Sequence, residues 1–302
     1  MKNFFTWSFT CLLSLAGLSQ ASNPDNTLLW RISGKDLKAP SYLFGTIHMI
    51  CGDDIQLSDS LRSAIRKSDN VYLEVDLNNL FEMISIVSKM KMNGDTTLSD
   101  LVTPSEYENI KAFFKSQKSI LPFSMMETYK PMLTASTLMQ SSMECDNAVA
   151  MEQLIMAQAK KDGIKIKGLE TMAYQMSIFD SIPYKLQAQQ LVQYVNDYGK
   201  NDDNKEFEEL ITAYRNQELQ KLEDLTKKGD ASLDQFADVL LYNRNRNWVN
   251  KMETLMPEKS VVIAVGAGHL PGEFGVIKLL RKAGYKVEPV KNEMIKKGEK
   301  QL

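Results

Sequence analysis

The sequence predicts an α/β fold in which a mainly parallel central sheet is flanked by helices and joined to a large helical middle region. Three observations lead to this prediction. A strand, a helix and a second strand follow one another within about 35 residues, the pattern of a parallel βαβ unit. The apolar run at 261–265 is typical of a strand buried on both faces. Residues 171–256 show helical spacing only.

Composition limits the classes of protein to be considered. The chain has 302 residues, of which 43% are hydrophobic and 25% are charged, as in soluble globular proteins. Its 36 Lys and Arg residues face 38 Asp and Glu residues, and the net charge of −2 excludes the basic footprint of a nucleic-acid-binding protein. We expect a single domain over residues 22–302, with helical segments at about 80–160 and 171–256.

The first 21 residues have the composition of an export signal. Lys2 precedes an uncharged apolar run at 4–18, and Ser19 and Ala21 place small residues at positions −3 and −1 of a cleavage site. A membrane anchor is the alternative, but the run is short for a bilayer span. We therefore expect a cleaved signal peptide, a periplasmic or secreted product, and no stable membrane span in the mature chain.

The N-terminal half alternates between predicted strands and helices. A hairpin is predicted from the apolar runs at 28–32 and 41–44, and Ser58 is placed to cap the helix that leads to a strand at 71–76. Thr103 and Glu106 form a capping box at the start of another helix. A further helix is predicted over 147–161, followed by a strand at 164–170.

The C-terminal part returns to alternating elements. Ser232 begins a second capping box, whose helix is expected to lead into the segment 243–248. After the strand at 261–265, a helix is predicted over 273–283 and a last strand over 285–290.

Four of the predicted strands end in residues that can bind a metal or move a proton: His48, Glu74, Glu170 and His269. The carboxyl ends of parallel strands meet at one edge of a sheet, where α/β proteins bind ligands. His48 and His269 are the only two histidines of the chain, and each lies three residues after a glycine. Two imidazoles and a carboxylate suit a divalent metal and leave coordination positions open. We therefore predict that His48, Glu74 and His269 are metal ligands.

Five segments, in this order along the chain, resemble the TraB/GumN family, which is related to the Tiki metalloproteases and more distantly to erythromycin-esterase-like proteins. They are SYLFGTIH (41–48), VYLEVD (71–76), GLET (168–171), NRNRNW (243–248) and VGAGHLPG (265–272). The resemblance implies a metal-dependent hydrolase scaffold and places Glu74 and Arg244 in the site. The chain departs from the Tiki pattern in having no C-terminal apolar span, and it has Asn243 where the family often has an acid.

The leading hypothesis is an exported, metal-dependent, peptidase-like hydrolase whose substrate is a peptide or a small molecule. Its divalent ion is Mn, Zn, Co or Fe, Glu74 or Glu170 accepts the proton, and Arg244 stabilises an oxyanion or holds a substrate carboxylate. Two alternatives remain. One is a metal- or haem-binding protein without catalysis, and the other is an interaction protein that retains the fold.

The two cysteines of the predicted mature chain are Cys51 and Cys145. An even number of cysteines in an exported protein favours a disulfide. Two buried free thiols are the alternative. A bridge would connect the segment that follows His48 to the segment before the helix predicted at 147.

Overall fold

The computed structural model describes residues 26–53, 55–117, 121–141, 145, 147–198, 203–228 and 234–294. The predicted signal peptide and the capping box at Ser232 lie outside these residues. The strands are β1 (Leu29–Ser33), β2 (Ser41–Thr46), β3 (Ile50–Cys51), β4 (Asn70–Leu73), β5 (Ala148–Val149), β6 (Lys165–Gly168), β7 (Val261–Gly266) and β8 (Lys286–Pro289). The helices are α1 (Asp59–Lys67), α2 (Leu80–Ile86), α3 (Pro104–Ser116), α4 (Phe123–Met126), α5 (Pro131–Ser141), α6 (Met151–Lys161), α7 (Met172–Ile178), α8 (Tyr184–Asp197), α9 (Asp203–Arg215), α10 (Leu219–Lys228), α11 (Asn243–Leu255) and α12 (Val276–Lys282).

Six strands form the central sheet in the order β6-β4-β7-β2-β1-β8. The neighbours β6, β4, β7 and β2 are parallel, whereas β1 runs antiparallel to both β2 and β8. The predicted mainly parallel sheet, its flanking helices and the helical middle region are confirmed. Because the four parallel strands are contiguous, their carboxyl ends lie side by side at one edge of the sheet.

The predicted hairpin and helix caps are present in the part of the chain that the structure describes. The β1–β2 hairpin pairs Leu29 with Phe44. The Ser58 side chain caps α1 by accepting the Leu61 N–H at 3.0 Å. Thr103 and Glu106 form the capping box that begins α3. No helix within the described ranges is long and apolar enough to cross a membrane.

The helix predicted over 147–161 begins four residues later, at Met151. Residues 148 and 149 instead form β5, which pairs with β3 in a separate two-stranded sheet. Pairing with another strand is a tertiary interaction, so helical periodicity could not reveal it. The helix predicted at 273 also begins late, at Val276, because Gly272 adopts a left-handed conformation (φ 85°) in the preceding turn.

The apolar core has two parts. The larger part surrounds the sheet and includes the fully buried strand residues Val261, Val262 and Ile263 of β7. The second lies in the helical region; its buried members are Leu98, Ile110, Phe114, Met126, Tyr129, Leu138, Ala188 and Leu191. Helix α2 contributes to neither core, and it exposes 88% of Phe81 and 65% of Ile84.

A π-helical turn over Asp238–Tyr242 immediately precedes α11. The N–H of Asn243 bonds to the carbonyl of Asp238, five residues earlier, which is the spacing that defines this wide turn. Such turns are rare and occur frequently beside functional sites.

The predicted disulfide between Cys51 and Cys145 is present, with a Cα–Cα distance of 6.0 Å. It stands next to the β3–β5 pair, in which Cys51 lies opposite Ala148. The bridge and the ladder therefore hold the same two segments together, one of which follows His48.

We expect the double variant Cys51→Ser/Cys145→Ser to be less stable than the wild type by about 2–4 kcal/mol, because the bridge closes a long loop in the unfolded chain. Denaturant unfolding under non-reducing conditions measures this difference. A reductant should bring the wild type down to the stability of the variant, and equal stabilities without reductant would contradict the prediction.

Candidate active site

The structure places His48, Glu74, Glu170 and His269 beyond the carboxyl ends of β2, β4, β6 and β7, as the sequence predicts. Hydrogen bonding continues past the ends of β4 and β6, since the N–H of Glu170 donates to the carbonyl of Glu74 at 2.9 Å. These two acids therefore leave neighbouring strands side by side.

Arg244 lies at the centre of the site and uses all of its N–H groups. Nη2 donates to Glu74 Oε2 at 2.5 Å and to Glu170 Oε1 at 2.6 Å, and Nε donates to the same Glu170 oxygen at 3.0 Å. Nη1 donates to the Leu240 carbonyl at 3.1 Å and to His269 Nε2 at 3.2 Å. The guanidinium thus joins α11 to residues that follow three strands of the sheet.

Both oxygens of Glu74 accept hydrogen bonds. Oε1 accepts the Gly266 N–H at 2.8 Å, and Oε2 accepts from Gln175 at 2.8 Å in addition to Arg244. Burial alone would raise the pKa of this carboxyl, but the charge that His269 carries below about pH 4, the charge of Arg244 and the Gly266 N–H outweigh it and lower the pKa to about 2. Glu74 is therefore an anion at neutral pH.

His269 is buried and is held in one tautomer. The Asn245 amide donates to the Phe274 carbonyl at 2.8 Å, which turns its Oδ1 towards His269 Nδ1, 2.6 Å away. Nδ1 therefore carries the proton, and the Nε2 lone pair faces Arg244 and Glu74. Burial lowers the pKa of His269 to about 4 despite the opposing effect of Glu74, so the ring is neutral at pH 7.

One face of α11 supplies the remaining support. Trp248 is one turn after Arg244, donates from Nε1 to Glu170 Oε2 at 3.0 Å, and packs its ring 4.5 Å from that of His269. Lys251, a further turn along, donates to the carbonyls of Gly168 and Leu169. Residues spaced by three or four positions share a helix face, which explains how one helix reaches all these groups.

His48 reaches the same edge of the sheet but lies in a different environment. Its side chain is 72% exposed, and its Nδ1 lies 3.0 Å from Glu152 Oε1. Hydrogen bonding to Glu152 raises the pKa of His48 to about 9, against the smaller opposing effect of burial. At neutral pH His48 is therefore a cation and His269 is neutral, although their sequence motifs are alike, and His48 would have to lose a proton before it could bind a metal ion.

The donor atoms of the predicted ligands suit a divalent cation in chemical type. His269 Nε2 lies 4.0 Å from Glu74 Oε1, and its other ring nitrogen is held by Asn245, an arrangement typical of metal-ligating histidines. Within the residues that the structure describes, no three His, Cys, Asp or Glu side chains form a group that could hold a metal ion. Arg244 Nη1 donates a hydrogen bond to the lone pair of His269 Nε2. His48 does not form a ligand group with Glu74 and His269.

Several supporting residues were not among the predicted site residues. Asn245 and Trp248 lie within the segment 243–248 that carries the family resemblance, so that segment held a signal for them. For Gln175 on α7 and Glu152 on α6 the sequence held no such signal. Their contacts with Glu74 and His48 form only when α7 and α6 pack against the edge of the sheet.

Comparisons with known proteins show which family and which relatives the sequence resembles. The sequence model of the TraB/PrgY/gumN family matches residues 28–289. Among curated proteins, a "Metalloprotease TIKI homolog" from Nematostella vectensis is 23% identical, over 89% of this chain and 68% of that protein. "Metalloprotease TIKI2" from Danio rerio is 22% identical (87% and 61%), and "Metalloprotease TIKI1" from Homo sapiens is 21% identical (87% and 62%). The chain thus spans 61–68% of the length of these relatives. No solved structure matches it.

The lowered pKa of Glu74 predicts how the stability of the site depends on pH. The folded pKa of about 2 lies below the ordinary value of 4.5, so the stabilisation is complete above 4.5 and is lost as the pH falls towards 2. The difference in unfolding free energy between the wild type and Glu74→Gln should therefore shrink by about 3 kcal/mol over this range.

Urea unfolding at several pH values measures this change. The exposed variant Glu258→Gln is the control, and its difference from the wild type should stay constant over the same range. If the curves of the wild type and Glu74→Gln remain parallel from pH 5 to pH 2, the stabilising role of the Glu74 anion is refuted.

Proposed function

The chain belongs to the TraB/PrgY/gumN family, and from this we propose that it is an exported metal-dependent hydrolase that cleaves peptide bonds. The observation that carries the proposal is the cluster of Glu74, Arg244 and His269 at the carboxyl edge of the sheet. The names of the relatives support a peptidase. The disulfide supports an oxidising compartment outside the cytoplasm.

His48, Glu74 and His269 would hold the metal ion, which is Mn, Zn, Co or Fe. When bound there, such an ion supplies a Lewis acid to a carbonyl substrate. His269 contributes the Nε2 lone pair, which stays free of a proton because the Asn245 Oδ1 accepts a hydrogen bond from Nδ1–H. Glu74 contributes negative charge, because its carboxyl stays ionised down to about pH 2.

The two acids have different places in the proposal. Both oxygens of Glu170 are engaged, one by Arg244 and the other by Trp248, so this residue holds the site together. Both oxygens of Glu74 are engaged as well, by Gly266, Gln175 and Arg244, so we propose Glu74 as the acceptor of the proton from the attacking water on its proximity to His269 alone.

Arg244 acts in this proposal through the residues that it holds. The sequence predicted that Arg244 stabilises an oxyanion or binds a substrate carboxylate. Its five N–H groups are instead directed to Glu74, Glu170, His269 and the Leu240 carbonyl. Its function is therefore to fix the two acids and the Nε2 atom in position.

Elemental analysis of the purified protein tests the metal directly. We expect close to one divalent ion per wild-type chain and almost none in His48→Ala/His269→Ala, because the double variant loses two of the three ligands. Arg246→Ala, whose side chain on α11 is 42% exposed, is the control and should keep its metal. Metal content that does not respond to loss of both histidines would favour an interaction protein that retains the fold, and a haem absorption band would favour the haem-binding alternative.

Arg244→Lys and Arg246→Lys form a matched pair for the activity. Lysine keeps the charge but cannot reproduce the five-donor geometry of arginine. We expect Arg244→Lys to reduce kcat/KM on a peptide library by about 10- to 100-fold, as supporting residues of metal sites do, and Arg246→Lys to leave it unchanged.

Activity should disappear after chelation and return when the metal is restored. Full peptidase activity in the chelated protein would overturn the metal-dependent mechanism. Equal activities of the two lysine variants would refute the positioning role of Arg244.

A further inference from the structure

Glu152, in the first turn of α6, makes the closest polar contact of His48. Its residue exposure is 7%, and its Oε1 accepts from His48 Nδ1 at 3.0 Å and from Thr46 Oγ1 at 2.6 Å. We infer that Glu152 is a positioning residue that fixes the His48 ring for the reaction. The inference rests on the proposed function, because it concerns the same site.

The second oxygen of Glu152 lies outside these hydrogen bonds. Oε2 is buried and has no hydrogen-bond partner among the residues that the structure describes. The nearby Tyr214 hydroxyl does not satisfy it, since that group donates to the Gly45 carbonyl at 3.0 Å. Burying a carboxylate oxygen without a partner opposes folding, whereas the contacts of Oε1 with His48 and Thr46 favour it. The hydrogen bonds of Glu152 are therefore directed to the His48 ring and to the end of β2.

Three separate connections hold the segment that bears Glu152 against the segment that bears His48. The N–H of Met151 donates to the Ile47 carbonyl at 3.0 Å, so the residues adjacent to the two side chains are bonded to each other. Strands β3 and β5 pair just beyond them, and the Cys51–Cys145 disulfide joins the same two segments. The position of the carboxylate relative to the ring is thus fixed by the backbone.

The consequence for His48 follows from the geometry of imidazole. A carboxylate that accepts a hydrogen bond from Nδ1–H leaves Nε2 on the opposite side of the ring, directed away from Glu152. The side chain is 72% exposed, and among the described residues Glu152 is the group that bonds to the ring. Glu152 therefore determines that Nε2 is the nitrogen on the open side of the ring, where it would bind a metal ion or a substrate after losing its proton, as in ligating histidines backed by carboxylates.

The metal-free wild type provides the first test, because the chain has only two histidines and their ring signals can be assigned with His48→Ala. We expect a slowly exchanging, downfield Nδ1–H resonance of His48 in the NMR spectrum. This measurement needs neither a metal nor a substrate. Absence of the protected resonance in the folded wild type would overturn the inference.

The variant Glu152→Gln provides the second test, with Gln153→Glu, the reverse change at the next and exposed position, as its matched control. Glu152→Gln should lose the protected His48 resonance, keep that of His269, and bind Mn²⁺ or Co²⁺ about 10- to 100-fold more weakly by calorimetry. The melting temperature is recorded to show that the variant folds, because Glu152→Gln loses the ion pair with His48 as well as a buried charge. Gln153→Glu should match the wild type in all three measurements.

These results separate the inference from the proposed function. If Glu152→Gln melts at a lower temperature and keeps the His48 resonance, Glu152 is a structural residue and the inference is wrong. If the wild type binds no metal but the resonance is present and is lost in Glu152→Gln, the positioning role holds and the metal-dependent function fails.

Discussion

The arrangement of the site depends on one buried ion-pair network, in which Arg244 joins Glu74 and Glu170. Two carboxylates on neighbouring strands repel each other in a medium of low polarity, so their proximity requires a cation between them. That cation comes from α11, and the same helix carries Asn245 and Trp248. The network therefore sets where α11 lies against the sheet, and the position of α11 in turn sets the tautomer and the surroundings of His269.

Much of the site could be predicted from the sequence because its signals are local. Strands that end in His48, Glu74, Glu170 and His269 are visible as apolar runs, and the parallel topology brings their ends to one edge. The disulfide could be predicted from cysteine number and the inferred compartment. The contacts of Gln175 and Glu152 could not be predicted from the sequence. Each contact depends on how a helix is rotated and packed against the sheet, and no local sequence pattern determines that. The β3–β5 pair was not predicted for the same reason, since two-residue strands form only by pairing with each other.

The two histidines show how little a motif says about chemistry. His48 and His269 follow equivalent strands with the same glycine spacing, yet one is mostly exposed against a carboxylate and the other is buried beside a guanidinium. The pKa rises in the first case and falls in the second. A symmetrical pair of motifs therefore produces an asymmetrical site, with one charged ring facing solvent and one neutral ring facing the protein.

The π-helical turn before α11 contains one residue more than an α-helical turn would need. An α-helical turn bonds residues four apart, whereas this turn bonds residues five apart and widens to hold the additional residue. Removing one residue from 238–242 would let the segment close with α-helical bonds and would change which residues of the turn lie next to α11. The turn also directs the Leu240 carbonyl to the Arg244 guanidinium. The geometry of this turn therefore depends on the number of its residues as well as on their identity. A deletion in this stretch of a related sequence would alter the turn, whereas a deletion in a surface loop would leave it unchanged.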